Sequence, residues 1–192
     1  MPCFDGVIFD MDGTIVQPLL DFAAIRAELD IPSGQGILEA LGDMPPERRR
    51  EAHAKLVERE LAAAERADLM PGAVELLRAI AQAGLKTALL TRNVREAMEM
   101  VLKRHSLRFD LAMSREDGPI KPEPDGIVRA CSRLGLRPER TLCVGDFHYD
   151  ITAAAAAGAP SALLVTAERP EWADEADYVI TKLSELGEIL GL

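Results

Sequence analysis

Six short apolar runs rich in β-prone residues punctuate the chain: Gly6–Asp10, Lys86–Leu90, Phe109–Met113, Thr141–Val144, Ser161–Val165 and Tyr178–Ile180. From residue 71 onward most of them alternate with stretches of helical periodicity: Ala73–Gln82, Val94–Arg104, Asp125–Leu134, Asp150–Ala157 and, after the last run, Leu183–Leu190. Gly84 and Gly158 close two of these helices, as glycine does where a helix must end in a left-handed residue. Strand and helix in alternation specify a doubly wound α/β fold: a mainly parallel, Rossmann-like sheet with helices on both faces. Consecutive parallel strands need a crossover, and a helix supplies it. The alanine run 153–157 fits that architecture, because small side chains let a helix lie close on the sheet.

Residues 16–70 break the alternation, since they carry helical signals only. Leu19, Leu20, Phe22, Ala23, Ile25 and Leu29 recur at helical spacing, Pro32–Gly36 interrupts the chain, a short helix follows at Ile37–Leu41, and a long charge-laced helix is expected from Pro46 to Asp68. The chain therefore divides into a Rossmann-like core, 1–15 and 71–192, and an all-α cap, 16–70, inserted after the first strand. The 48% hydrophobic content excludes a disordered chain. Uncharged stretches such as 151–167 are broken by Gly158 and Pro160, so no membrane span is expected. The first strand begins almost at Met1 and leaves no room for a signal sequence, which makes the cytoplasm the expected location. Cys3, Cys131 and Cys143 have neither disulfide nor zinc spacing and are expected to be reduced, buried thiols. A net charge of −10 excludes a phosphate-backbone footprint for nucleic acid.

In sheets of this kind ligands bind beyond the carboxyl ends of the strands. Those ends carry Asp10-Met-Asp12-Gly13-Thr14, Thr91-Arg92-Asn93, Lys121 and Gly145-Asp146 with Asp150 four residues on. Four carboxylates at one edge repel one another unless a cation sits among them, and an all-oxygen set favours Mg2+. Asp10 at a strand tip can act as a carboxylate nucleophile, and Asp12 as general acid and then general base. Gly13 allows a sharp turn that the Thr14 hydroxyl can cap. Thr91 and the amides after it form a phosphate cradle, and Lys121 neutralises both nucleophile and phosphoryl oxygens.

These four motifs, Asp10-x-Asp12-Gly13-Thr14, Thr91-Arg92-Asn93, Lys121-Pro-Glu-Pro and Gly145-Asp146-x-x-x-Asp150, resemble in order and spacing those of the haloacid dehalogenase-like hydrolase superfamily. The likeness is greatest to its phosphoglycolate-phosphatase-like branch, although the cap is shorter than is usual there. The resemblance implies Asp10 as nucleophile, Asp12 as acid and base, Thr91 and Lys121 as phosphate ligands, and Mg2+ as cofactor. The metal would be held by Asp10, Asp12 (through its main-chain carbonyl), Asp146 and, through water, Asp150. Dehalogenases of the superfamily lack an equivalent of Asp12, so the implied reaction is hydrolysis of a small soluble phosphomonoester through an aspartyl-phosphate. Alternatives are a phosphotransferase or mutase of the same fold acting on a sugar phosphate, and a catalytically silent binding or regulatory member. The protein is expected to act as a monomer or homodimer.

Other residues have competing readings. Arg92 is either a phosphate contact or a solvated helix start, and Asn93 is expected to cap the following helix. His148 is expected to face solvent or support the site from behind, His53 and His105 to lie on the surface, and Arg48, Arg49 and Arg50 to form a solvated face. Arg26 is the better specificity residue of the cap. Lys55, the only cap lysine, is not expected to form a Schiff base.

Overall fold

The computed structural model describes residues 4–192; Cys3 lies outside them. Six strands form one all-parallel sheet: β1 (Gly6–Phe9), β2 (Lys86–Leu90), β3 (Leu111–Met113), β4 (Thr141–Gly145), β5 (Ser161–Leu164) and β6 (Tyr178–Ile180), in the order β3-β2-β1-β4-β5-β6. The central strands β1 and β4 are buried throughout, as parallel strands covered on both faces must be. Period-two alternation divides their side chains between two layers. Val7, Phe9, Leu89, Leu142 and Val144 enter one core with α4 (Ala73–Gln82) and α5 (Arg95–Arg104), while Ile8, Ala88, Leu90 and Cys143 enter another with α6 (Asp125–Leu134) and α7 (His148–Ala157). Ala153 and Ala154 of α7 are fully buried against the sheet, while Ala155 and Ala156 of the same run face outward. The chain leaves β1 for β2 on one side and arrives at β4 on the other. The gap between the carboxyl ends of β1 and β4 is thus the switch point at which such sheets open a crevice.

Between β1 and α4 lie three helices: α1 (Phe22–Glu28), α2 (Ile37–Asp43) and α3 (Pro46–Ala64). They bury a cluster of their own around Ile25, Leu29, Ile37, Leu41 and Leu56. The two ends of this insertion meet in an antiparallel bridge, Val16 with Leu69, with Met70 N–H donating to Ile15 O at 2.9 Å. That pairing explains two boundary differences from the periodicity. The first helix excludes Leu19 and Leu20 and begins after Asp21, whose Oδ1 accepts from Ala24 N–H at 2.9 Å. The long helix stops at Ala64 rather than Asp68 because the chain must extend to reach Val16. The final helix is likewise split into a 3-10 turn, Leu183–Glu185, and α8, Leu186–Leu190. Among the described residues no helix is long and apolar enough to cross a membrane, and Cys131 and Cys143 are buried free thiols.

Candidate active site

At the end of β1 the chain makes a tight turn around the carbonyl of Met11, which accepts from the amides of Thr14, Ile15 and Val16 at 3.3, 2.9 and 3.0 Å. Gly13 takes φ = +77°, and a Cβ there would lie 1.9 Å from Asp146 Oδ2. Glycine is required twice over, for its left-handed backbone and for the close approach of β4's acid. The expected capping by the Thr14 hydroxyl is not found. Backbone amides close the turn instead, and the buried Thr14 Oγ1 has no partner among the described residues.

The turn delivers Asp10 to the switch point. Lys121, from the loop after β3, is buried with its Nζ donating to Asp10 Oδ1 and Asp150 Oδ1, both at 2.6 Å. Asp150 sits in the first turn of α7, and its Oδ2 accepts from Phe147 N–H at 3.2 Å. Carboxylate oxygens of Asp10, Asp146 and Asp150 lie within 4.8 Å of one another. Burial, followed by the neighbouring acids, raises Asp146 to about 8. Burial likewise lifts Asp10 to about 7 although Lys121 pulls it down. Burial opposes the Lys121 charge, yet Asp10 and Asp150 hold its ammonium above the ordinary lysine range.

Asp12 turns away from that trio. Its Oδ2 accepts from Asn93 Nδ2 at 2.7 Å. Burial raises its carboxyl to about 6, with Asn93 lowering it and Glu60 raising it. Asn93 is therefore not the cap of α5: Val94 holds that position, and the Asn93 amide donates to Thr91 Oγ1 at 3.0 Å. The pull of a buried carboxylate for a donor outweighs the weaker attraction of a helix end. Arg92 Nη2 reaches across to α2, at 2.7 and 3.0 Å from the two oxygens of Glu39. Its Nη1 donates to the Lys121 carbonyl, and its guanidinium lies over the Tyr149 ring at 4.1 Å.

Glu60 lines the crevice as well, at a position that none of the motifs marks. It faces the site from α3, buried beside Ala52, Leu56 and Ala63, and its Oε1 pairs with Arg115 at 2.5 Å. Burial raises its carboxyl against the pull of Arg115. The signal available in the sequence was an acid at i+4 from Leu56, on the apolar face of its helix. Other flagged residues lie off the chemistry. Arg48 and Arg49 donate to the carbonyls of Leu29 and of Gly42 and Met44. Lys55 faces Glu28, His148 pairs with Glu175 in solvent, and His105 meets the Ala67 carbonyl. Arg26 lines the crevice, with its Nε on Gln35 O at 3.0 Å.

The family model for haloacid dehalogenase-like hydrolases matches residues 23–158. The chain belongs to that family. A haloacid dehalogenase-like hydrolase domain-containing protein of Arabidopsis thaliana is 33% identical over 171 residues, covering 83% of this chain and 70% of its own. Pyrophosphatase PpaX of Halalkalibacterium halodurans is 27% identical, covering 97% and 96%. A phosphoglycolate phosphatase of Salmonella typhimurium is 27% identical, covering 81% and 79%. Among solved structures, a hydrolase from Pseudomonas syringae superposes with a TM-score of 0.82 at 23% identity, covering 96% of this chain and 99% of that one. In this haloacid dehalogenase-like hydrolase the donor set suits a hard divalent cation. Three oxygen ligands converge, all carboxylate, and two of them are held protonated toward neutral pH by burial and mutual repulsion that a cation would relieve.

Proposed function

We propose that this hydrolase is a Mg2+-dependent phosphatase of small phosphomonoesters that works through an aspartyl-phosphate on Asp10. The observation that carries the reading is the convergence of Asp10, Asp146 and Asp150, the first and last of them bonded to the Lys121 ammonium, with Asp12 held apart by Asn93. The relatives named as phosphoglycolate phosphatase and pyrophosphatase support phosphoryl chemistry. Asp10, Asp146 and the Asp12 main-chain carbonyl would hold Mg2+, with Asp150 contributing through a water. The cation would neutralise the charge that builds between nucleophile and phosphate.

In the first half-reaction an Asp10 oxygen attacks phosphorus, the bond to the leaving oxygen breaks, and Asp12 gives that oxygen its proton. In the second, the ionised Asp12 takes a proton from water, the water oxygen attacks phosphorus, and the departing phosphate restores the Asp10 carboxylate. A carboxyl raised to about 6 suits both roles, since an acid–base catalyst works best with a pKa near the operating pH. Lys121 and the Thr91 hydroxyl, with the amides that follow it, hold the phosphoryl oxygens. Arg92, engaged by Glu39, the Lys121 carbonyl and Tyr149, acts as a clasp between core and insertion. Residues 16–70 serve as the cap over a core of 1–15 and 71–192, a division supported by the Val16–Leu69 bridge at its stem.

Release of inorganic phosphate from 4-nitrophenyl phosphate in Mg2+ tests the reading. Asp10→Asn is expected to abolish release while leaving the circular dichroism unchanged, and a chelator is expected to silence the native chain. A folded Asp10→Asn protein with native turnover would overturn the assignment.

A further inference from the structure

The crevice that holds the four acids extends beneath the insertion as a cavity of about 300 Å³. Its two halves differ in chemistry. At the floor lie the carboxylates and Lys121. Much of the remaining lining, supplied mostly by the insertion, is apolar: Leu20, Phe22, Ile37, Leu38 and Leu56, joined by Phe147 next to Asp146. Phe22 and Phe147 remain 47% and 50% exposed. Phe147 is braced edge-on by Tyr149 and Trp172, with ring centroids at 5.0 and 6.1 Å, so its position is fixed while its exposed part borders the cavity. Large aromatic surface left open beside a polar floor is surface that a ligand can cover.

The charges lining the cavity narrow what that ligand carries. Three cations, Arg26, Arg92 and Lys121, face five carboxylates, the four acids of the floor and Glu60. Each cation already has a partner: Lys121 lies between Asp10 and Asp150, Arg92 is held by Glu39, and Arg26 donates to Gln35 O. Glu60, enclosed beside that apolar lining, is already paired with Arg115. Among the described lining residues the insertion supplies one cation, Arg26, whose Nε is already engaged by the Gln35 carbonyl, so a carboxylate or second phosphate beyond the reacting one would find little charge to pair with on that side. A substrate with an uncharged apolar body would meet hydrocarbon. The space suits a phosphoryl group and a body of about ten heavy atoms.

We infer that the substrate is a phosphomonoester whose alcohol is an uncharged, flat apolar group, seated with its ring between Phe22 and Phe147, in contrast to the charged compounds that name the phosphoglycolate phosphatase and pyrophosphatase relatives. The inference rests on the phosphatase reading for the place of the phosphoryl group. Its test is built to be independent of turnover. Non-hydrolysable phosphonates are titrated calorimetrically into the full chain in Mg2+: 2-phenylethylphosphonate, ethylphosphonate and phosphonoacetate. The phenylethyl compound is expected to bind at least about tenfold more tightly than the ethyl compound, the return for burying one ring. Phosphonoacetate is expected to bind most weakly. Phe22→Ala, at a half-exposed position, is expected to reduce the phenylethyl-to-ethyl ratio about threefold or more.

Equal affinity of the phenylethyl and ethyl compounds, or tightest binding of phosphonoacetate, would overturn the inference. Phosphate release from 2-phenylethyl phosphate is followed separately. Its absence, with the phosphonate order intact, would sink the phosphatase reading and leave the apolar specificity standing.

Discussion

Gly145 ends β4 one residue before Asp146, and replacing it by alanine tests how tightly the acids are packed. A Cβ there would lie 2.1 Å from Asp150 Cγ and 2.3 Å from Asp150 Cβ and Oδ2. Those atoms cannot swing aside, because Asp150 is buried in the first turn of α7 and held by Lys121 Nζ at 2.6 Å and Phe147 N–H at 3.2 Å. Accommodating one methyl group means moving that turn and losing both bonds. A hydrogen bond to a charged group contributes about 1.5–3 kcal/mol, so the pair predicts a loss of about 3–5 kcal/mol after some relaxation. For a chain of this length that lowers Tm by about 6–20 °C. The matched control is Gly187→Ala in α8, where the added carbon meets no heavy atom within 4 Å beyond its chain neighbours and its own helix backbone. It is expected to leave Tm unchanged or raise it, since alanine is favoured over glycine inside a helix by about 1 kcal/mol. Differential scanning calorimetry of both variants decides the matter. If Gly145→Ala melts within about 3 °C of the native chain, roughly 1 kcal/mol, the packing described around Asp150 is wrong.

Three further outcomes are expected. Mg2+ affinity should rise with pH between about 6 and 9, with protons released on binding, because carboxyls raised to about 7 (Asp10) and about 8 (Asp146) must ionise to take up the cation. Calorimetry in buffers of different ionisation enthalpy reads the released protons, and a pH-independent affinity with none released would contradict the assignment of these ligands. Arg92→Ala, which removes the contacts to Glu39 and Tyr149, should speed amide exchange in α2 and α3 while β1 and β4 keep their protection; unchanged exchange in α2 would remove the clasp from the account. Asp110, whose carboxyl is lowered chiefly by the Thr87 amide, contributes stability that is present above pH 3.8 and lost as pH falls through its folded value. Asp110→Ala should therefore cost about 1 kcal/mol at pH 7, a gap in urea melts that closes in strong acid; a gap that widened there would reverse the sign of the argument.

How much of this was legible before the fold follows from the range of the forces involved. The acids at the ends of β1 and β4 could be found because strand ends are local features and the doubly wound topology places all of them on one edge. The parallel sheet followed from alternation alone, and α4, β2, α6 and β6 fall where periodicity puts them. Helix ends were less legible where a distant strand takes over the backbone. Asp68 and Leu69 carry no local signal against helix, and only the pairing of Leu69 with Val16 draws that segment straight. The cap assigned to Asn93 failed for a similar reason, since its amide serves a carboxylate 81 residues away.

The layers, the sheet edge that gathers the acids and the types of group found there are local in origin, because they depend on periodicity and on residues next to strand ends. The partnerships came from packing. It put Lys121 between Asp10 and Asp150, turned Asp12 to Asn93, took Arg92 for Glu39 and Tyr149, and buried Glu60 against Arg115 beside an apolar wall. Each of these is a contact between elements brought together by the strand order 3-2-1-4-5-6 and by packing of the insertion. Spacing along the chain carries no record of such contacts. They are fixed by which buried charges find a partner once water has been excluded.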